Sequence, residues 1–171
     1  MTAQNGDARK PAIAFAQNYF AVQTRRAELV EQRLLDYERV QARTELAETE
    51  KLLSGVLYER GVGSKGFAII RSKGDKALFC LDTALLKRKL GAPDSRLLAD
   101  FLPTISIKAK DFAAEMASIN VQQKDLYGQS SIEKEHIENN TAVRNMMLSR
   151  GIYPEQLSAG EDLKKVERLS L

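Results

Sequence analysis

Apolar residues fall along this chain at spacings of three and four, broken by glycine and proline into segments of helical length. The first segment runs from about Pro11 to Arg60. Proline is at home in a first turn, where its missing N–H would be unpaired anyway, and Asp7 or Asn5 stands ready to cap that turn. Ile13, Phe15, Ala16, Tyr19, Phe20 and Val22 give a wide apolar face. From Thr24 it narrows to Leu29, Val30, Leu34, Tyr37, Val40 and Leu46, with charged and amide side chains on the other sides. A narrow stripe of this kind marks a helix that pairs with one partner helix or crosses solvent. The heptad register is imperfect, so the pattern predicts a short dimerising coil.

Beyond Gly55, Gly61, Gly63 and Gly66 the elements shorten. Residues 64–81 predict two short helical pieces about a turn at Gly74, anchored by Phe67, Ile70, Leu78 and Phe79. Asp82 and Thr83 cap a helix from Ala84 to Leu90, which Gly91 and Pro93 stop. Ser95 to Phe101 reads as a short helix ended by Pro103. Thr104 opens a longer one whose core face is expected at Ile105, Ala109, Phe112, Ala113, Met116 and Ile119. Ser130 with Glu133, and Ser158 with Glu161, have capping-box spacing before the last two helices. Only Phe67–Ile70 and Thr104–Ile107 have strand-like composition, and both are short. The fold class is therefore all-α: a long N-terminal helix over residues 1–61, then a compact multi-helix domain over 62–171.

Charge changes this picture in one place. Residues 1–63 carry nine basic and nine acidic side chains, and residues 97–171 nine and eleven. Residues 64–96 carry eight basic against three acidic, a local excess of +5. Within that block Lys65, Arg71, Lys73, Lys76, Lys87, Arg88 and Lys89 are the candidate binding residues. Short helices rich in cations, with glycines that let backbone come close, suit neutralisation of a polyanion such as nucleic acid. Two other readings stand beside it: an acidic protein surface as the target, or a merely solvated basic face. Phe67 and Phe79 lie on the apolar side and are expected to pack rather than stack on bases.

The remaining chemistry is sparse, and no catalytic residue, metal ligand or cofactor is assigned. His136 is the single histidine and Cys80 the single cysteine, too few for a zinc site or an internal disulfide. Cys80, in an apolar string, is expected to be a buried inert thiol. A Ser–His–Asp triad would need His136, and no nucleophile elbow presents a serine. The glycines of GVGSKGF lack the phosphate-loop spacing. Pro93-Asp94 with Asp162-Leu163-Lys164 imitates a nuclease pattern, yet nearly seventy residues separate the halves, and a carboxylate in a first turn serves as a cap. No apolar run has the roughly 20 residues that span a bilayer, and no secretory leader is evident, so a cytoplasmic protein is expected.

Four strings carry a resemblance: NGDARKPAIAFAQNYFAVQTRRAEL, GVLYERGVGSKGFAIIRSKGDKALF, RLLADFLPTISIKAKDFAAEMASINV and NNTAVRNMMLSRGIYPEQL. Together, from about Asn5 to Arg168, they resemble the DNA damage-inducible protein D family of bacteria. Members of that family begin with a DNA-binding head of the baculovirus repeated-ORF and phage antirepressor type. This sequence starts within the closing helix of that head, so the head's own role does not carry over. The resemblance implies a non-catalytic protein of the SOS response that acts around single-stranded DNA and the RecA recombinase filament. The rival expectation is a structural dimerisation and protein-docking module without direct DNA contact. In both, a homodimer forms through the long N-terminal helix.

Overall fold

The computed structural model describes residues 10–169, and among them there is no strand. Six α-helices follow in order: α1 Pro11–Glu59, α2 Ser64–Phe79, α3 Thr83–Leu90, α4 Thr104–Gln123, α5 Gln129–Ser149 and α6 Leu163–Leu169. Short 3-10 turns occupy Leu98–Phe101 and Pro154–Gln156. The all-α architecture and the long first helix match the apolar pattern. The cap expected at Asp7 or Asn5 lies outside the described residues.

The chain divides into two units, Met1–Glu38 and Arg39–Leu171. In the first, the described residues are one stretch of helix, on which Phe15, Tyr19, Leu29, Val30 and Leu34 are all exposed. Arg25 and Glu28, one turn apart, pair at 3.5 Å on its surface. The compact unit takes in residues 39–61 as well as the domain expected from residue 62.

Two apolar clusters build the compact unit. Leu46, Leu78, Phe79, Leu86, Leu102, Ile107, Val143 and Leu163 form one, and Leu53, Leu57, Val62, Ile70, Ala117, Val121 and Ile132 the other. Helix α2 lies against α5, and α4 against α5. At the first contact, glycine is required for closeness. A Cβ on Gly74 would stand 2.6 Å from His136 Cδ2 and 2.9 Å from Asn140 Nδ2. A Cβ on Gly66 would stand 2.9 Å from Gln129 Oε1. The turn expected at Gly74 is thus replaced by an unbroken helix, with glycine there to let α5 approach.

Several local expectations hold. Asp82 caps α3, its Oδ1 accepting from the Leu85 N–H at 2.8 Å. Gly91, at φ 68°, ends α3: its N–H donates to Arg88 O at 3.2 Å, and that of Ala92 to Lys87 O at 2.9 Å. Others need correction. Gly128 precedes α5 with no side-chain cap; Ser131 instead donates back to Tyr127 O at 2.5 Å, and Glu133 is taken up by Lys73. At α6 the capping carboxylate is Asp162, accepting from Lys164 N–H at 3.0 Å, so the Ser158–Glu161 box does not form. Cys80 is exposed, in a left-handed conformation at the end of α2, and is not the buried thiol expected.

On α4 the expected core face holds at Ala109 and Ala113, with Met116 partly buried against the core, and fails at its larger residues. Its buried face is Ser106, Ile107, Ala109, Lys110, Ala113, Ala114, Ala117 and Val121, while Ile105, Phe112 and Ile119 stay 42%, 49% and 48% exposed. Alanines let α4 pack closely, and they outweigh the larger side chains in deciding which face goes inward.

Candidate nucleic-acid interface

Helix α2 supplies Lys65, Arg71, Lys73 and Lys76, and α3 supplies Lys87, Arg88 and Lys89 in its last turn. Lys65 and Lys76, eleven residues apart on one helix, share its outward face with the half-exposed Ile69. Three cations in the last turn of α3 also offset the partial negative charge of a helix C-terminus.

The seven do not behave alike. Lys65, Lys76 and Arg88 are exposed and form no ion pair among the described residues. Lys87 Nζ donates to the Asp94 carbonyl at 2.9 Å, and Lys89 Nζ to the Glu155 carbonyl. These two are tethered, but a carbonyl partner leaves the unit charge in place. Lys73 pairs with Glu133 on α5 at 2.5 Å, which offsets its charge within the fold. Arg71 lies 3.4 Å from Glu50 and over the Phe67 ring at 5.9 Å, which spends part of its charge within the fold. Phe67 packs beneath it, and Phe79 is buried.

Beneath the cations is a buried polar layer that spacing along the chain does not single out. Lys110 of α4 pairs with Asp75 of α2, and Thr83 Oγ1 donates to Asp75 Oδ2 at 2.8 Å. His136 and Asn140 of α5 close the layer from below Gly74. Burial, helped by the nearby Lys110 charge and opposed by Asp75, pushes the His136 imidazole down to about 4. It is therefore neutral at pH 7. A signal for the layer is present in the sequence: Asp75 stands three residues before Leu78, Lys110 three after Ile107, and His136 four after Ile132, each on its helix's apolar side.

A second charged cluster takes up Asp162 of the nuclease-like pattern. Arg96 Nη1 holds Asp162 at 2.6 Å and its Nη2 reaches Asp100 at 3.0 Å, while Arg43 meets the other Asp100 oxygen at 2.9 Å. The Arg96 hydrogen bonds hold the Asp162 carboxyl below its ordinary range, and Asp162 and Asp100 in turn raise Arg96. Asp162 is thus a carboxylate occupied by arginine and by a helix N–H. No group of three or more His, Cys, Asp or Glu side chains able to hold a metal occurs among the described residues. No described helix is long and apolar enough to cross a membrane.

The fold defines an all-α domain in which α2 and α3 carry exposed cations and a buried Asp75–Lys110 pair lies within. The family described as DinD C-terminal domain matches residues 34–166, and the chain belongs to that family. DNA damage-inducible protein D of Escherichia coli (strain K12) is 28% identical over 176 residues, an alignment that takes in 98% of this chain. The chain spans 64% of that relative's length.

Proposed function

We propose that this protein serves the response to DNA damage without catalysing a reaction, binding single-stranded DNA or a DNA-coated RecA filament through the outer face of α2 and α3. The observation that carries this reading is the trio Lys65, Lys76 and Arg88, exposed and unmatched by carboxylates, with the charges of Lys87 and Lys89 held alongside. Kinship to a protein induced by DNA damage supports the cellular setting. Phosphate neutralisation needs only such positions; it requires no nucleophile, metal or cofactor.

The test is the salt dependence of binding to an oligonucleotide, alone and coated with recombinase. Each phosphate that is no longer neutralised lowers the slope of log affinity against log salt by roughly 0.7 for a single strand. Removing three cations by Lys65→Ala, Lys76→Ala and Arg88→Ala together flattens the slope by about 2 and weakens binding tenfold or more at low salt. Equal binding and equal slope in parent and triple variant would eliminate this face.

A second reading has its own observation. Leu29, Val30, Leu34 and Tyr37 are 47–67% exposed on one stretch of helix. A homodimer joined there would make the chain a dimerisation and docking module, whose basic face meets an acidic protein. Binding to an acidic protein surface that needs no nucleic acid, together with no affinity for an oligonucleotide at low salt, would favour it.

A further inference from the structure

With no residue of the cationic helices in its lining, an open groove of about 380 Å³ lies between α4 and the end of α5. Its walls are apolar: Ile105 and Phe112 from α4, Met146 and Met147 from α5, and Ile152 just beyond. Two charged side chains line it, Lys108 and Arg150; both are cations, both exposed, and neither forms an ion pair among the described residues. The volume lies in the range of ligand clefts, roughly 300–1,000 Å³.

Spacing on α4 says what shape the occupant has. Ile105, Phe112 and Ile119 recur every seven residues and stand 42%, 49% and 48% exposed. A repeat of seven is the seam by which one helix receives another. The closely packed alanine face of α4 is spent within the fold, so the helix has a second apolar face that stays half exposed. Met146, 56% exposed, and Met147 add unbranched side chains that repack around varied anchors.

We propose that this groove docks an amphipathic helix of a partner protein, with apolar anchors every three to four residues and carboxylates along its flanks. The two cations at the groove select for those carboxylates. A second copy of the same face brings two further cations and no carboxylate among the groove's lining residues, so like charge disfavours that occupant. This surface is separate from α2 and α3 and stands or falls independently of the DNA reading.

The probe is a displayed library of 18-residue peptides, each with randomised positions, selected on the full chain. Enriched peptides are expected to carry Leu, Ile, Phe or Met at i, i+3 or i+4, and i+7, with Asp or Glu beside them. Phe112→Ser, at a half-exposed position, weakens the best peptide at least about tenfold. Lys108→Glu with Arg150→Glu does the same and restores binding to a peptide whose acidic flanks are changed to lysine. Circular dichroism and the urea midpoint of each variant establish that it is folded. Enrichment without acidic residues, peptides that bind Phe112→Ser unchanged, or no enrichment at all overturns the proposal. So does a parent chain whose sedimenting mass falls on Phe112→Ser, which would assign the groove to a second copy.

Discussion

Residues 11–38 and 39–59 belong to one helix, carry apolar side chains at similar spacings, and use them in opposite ways. In the second stretch Ala42, Leu46, Leu53 and Leu57 are buried, at intervals of four, seven and four, against α2, α4 and α5 residues of the same unit. In the first stretch Leu29, Val30, Leu34 and Tyr37 are as apolar, and more than 45% exposed. Periodicity states that a helix has an apolar side, and the covering surface comes from elsewhere. Within 39–59 that surface is in the chain itself. Within 11–38 the described residues leave that side uncovered.

The sharpest way to break this comparison is to truncate the same residue type in both stretches. Leu46→Ala removes a fully buried side chain and is expected to cost about 2–5 kcal/mol in urea denaturation. Leu34→Ala, at a position 57% exposed, is expected to cost under about 0.5 kcal/mol in dilute solution. Equal costs would mean that residues 11–38 are packed as tightly as the core.

Acidity gives the next largest effect, and it acts on the compact unit alone. His136 is held neutral, with its pKa at about 4 against an ordinary 6.5. Between those values the unfolded chain takes up a proton that the folded chain refuses. Stability from this group is complete above pH 6.5 and drains away as pH falls toward 4, by about 3 kcal/mol in all. Urea midpoints measured from pH 7 to pH 4 follow this slope, and His136→Gln flattens it. A midpoint independent of pH in the parent would refute the neutral buried imidazole.

The smallest effect on folding comes from Leu34→Asp. A charge at an exposed position leaves the stability of the compact unit within about 0.5 kcal/mol. Placed in a dimer seam, the same charge lowers the sedimenting mass from two chains to one. Unchanged mass would remove this stripe from any account of self-association.

Helix ends are the most legible part of the sequence, because the residues that make them act locally. Pro11, Asp82 and Gly91 each start or stop a helix where their own chemistry requires it, and α4 begins at Thr104 directly behind Pro103. What depends on a distant neighbour is harder to read. Gly74 has the composition of a turn, and only the approach of His136 and Asn140 shows that it is a contact. Ile105, Phe112 and Ile119 read as a core face because they are large, while alanines win the interior by admitting a close neighbour. Of the seven candidate cations, Lys65, Lys76 and Arg88 stand as composition suggests. Lys73 and Arg71 are claimed by Glu133 and Glu50, carboxylates 60 and 21 residues away that no local pattern ties to them.

The guanidinium of Arg39 reaches three carbonyl oxygens: Leu102 and Asp100, each at 2.9 Å, and Glu161. Gly160 makes room for it, since a Cβ there would collide with the Arg39 side chain. Residue 39 is the first of the compact unit and residue 161 stands just before α6, so this single side chain ties the unit's beginning to the entrance of its last described helix. In terms of chain path, a domain whose two ends lie close can be spliced into a longer polypeptide without stretching either flank, and it can be reopened elsewhere and rejoined across those ends. A circular permutant that joins the end of α6 to residue 39 through a flexible linker and opens within the turn at 124–128 tests how near those two ends lie.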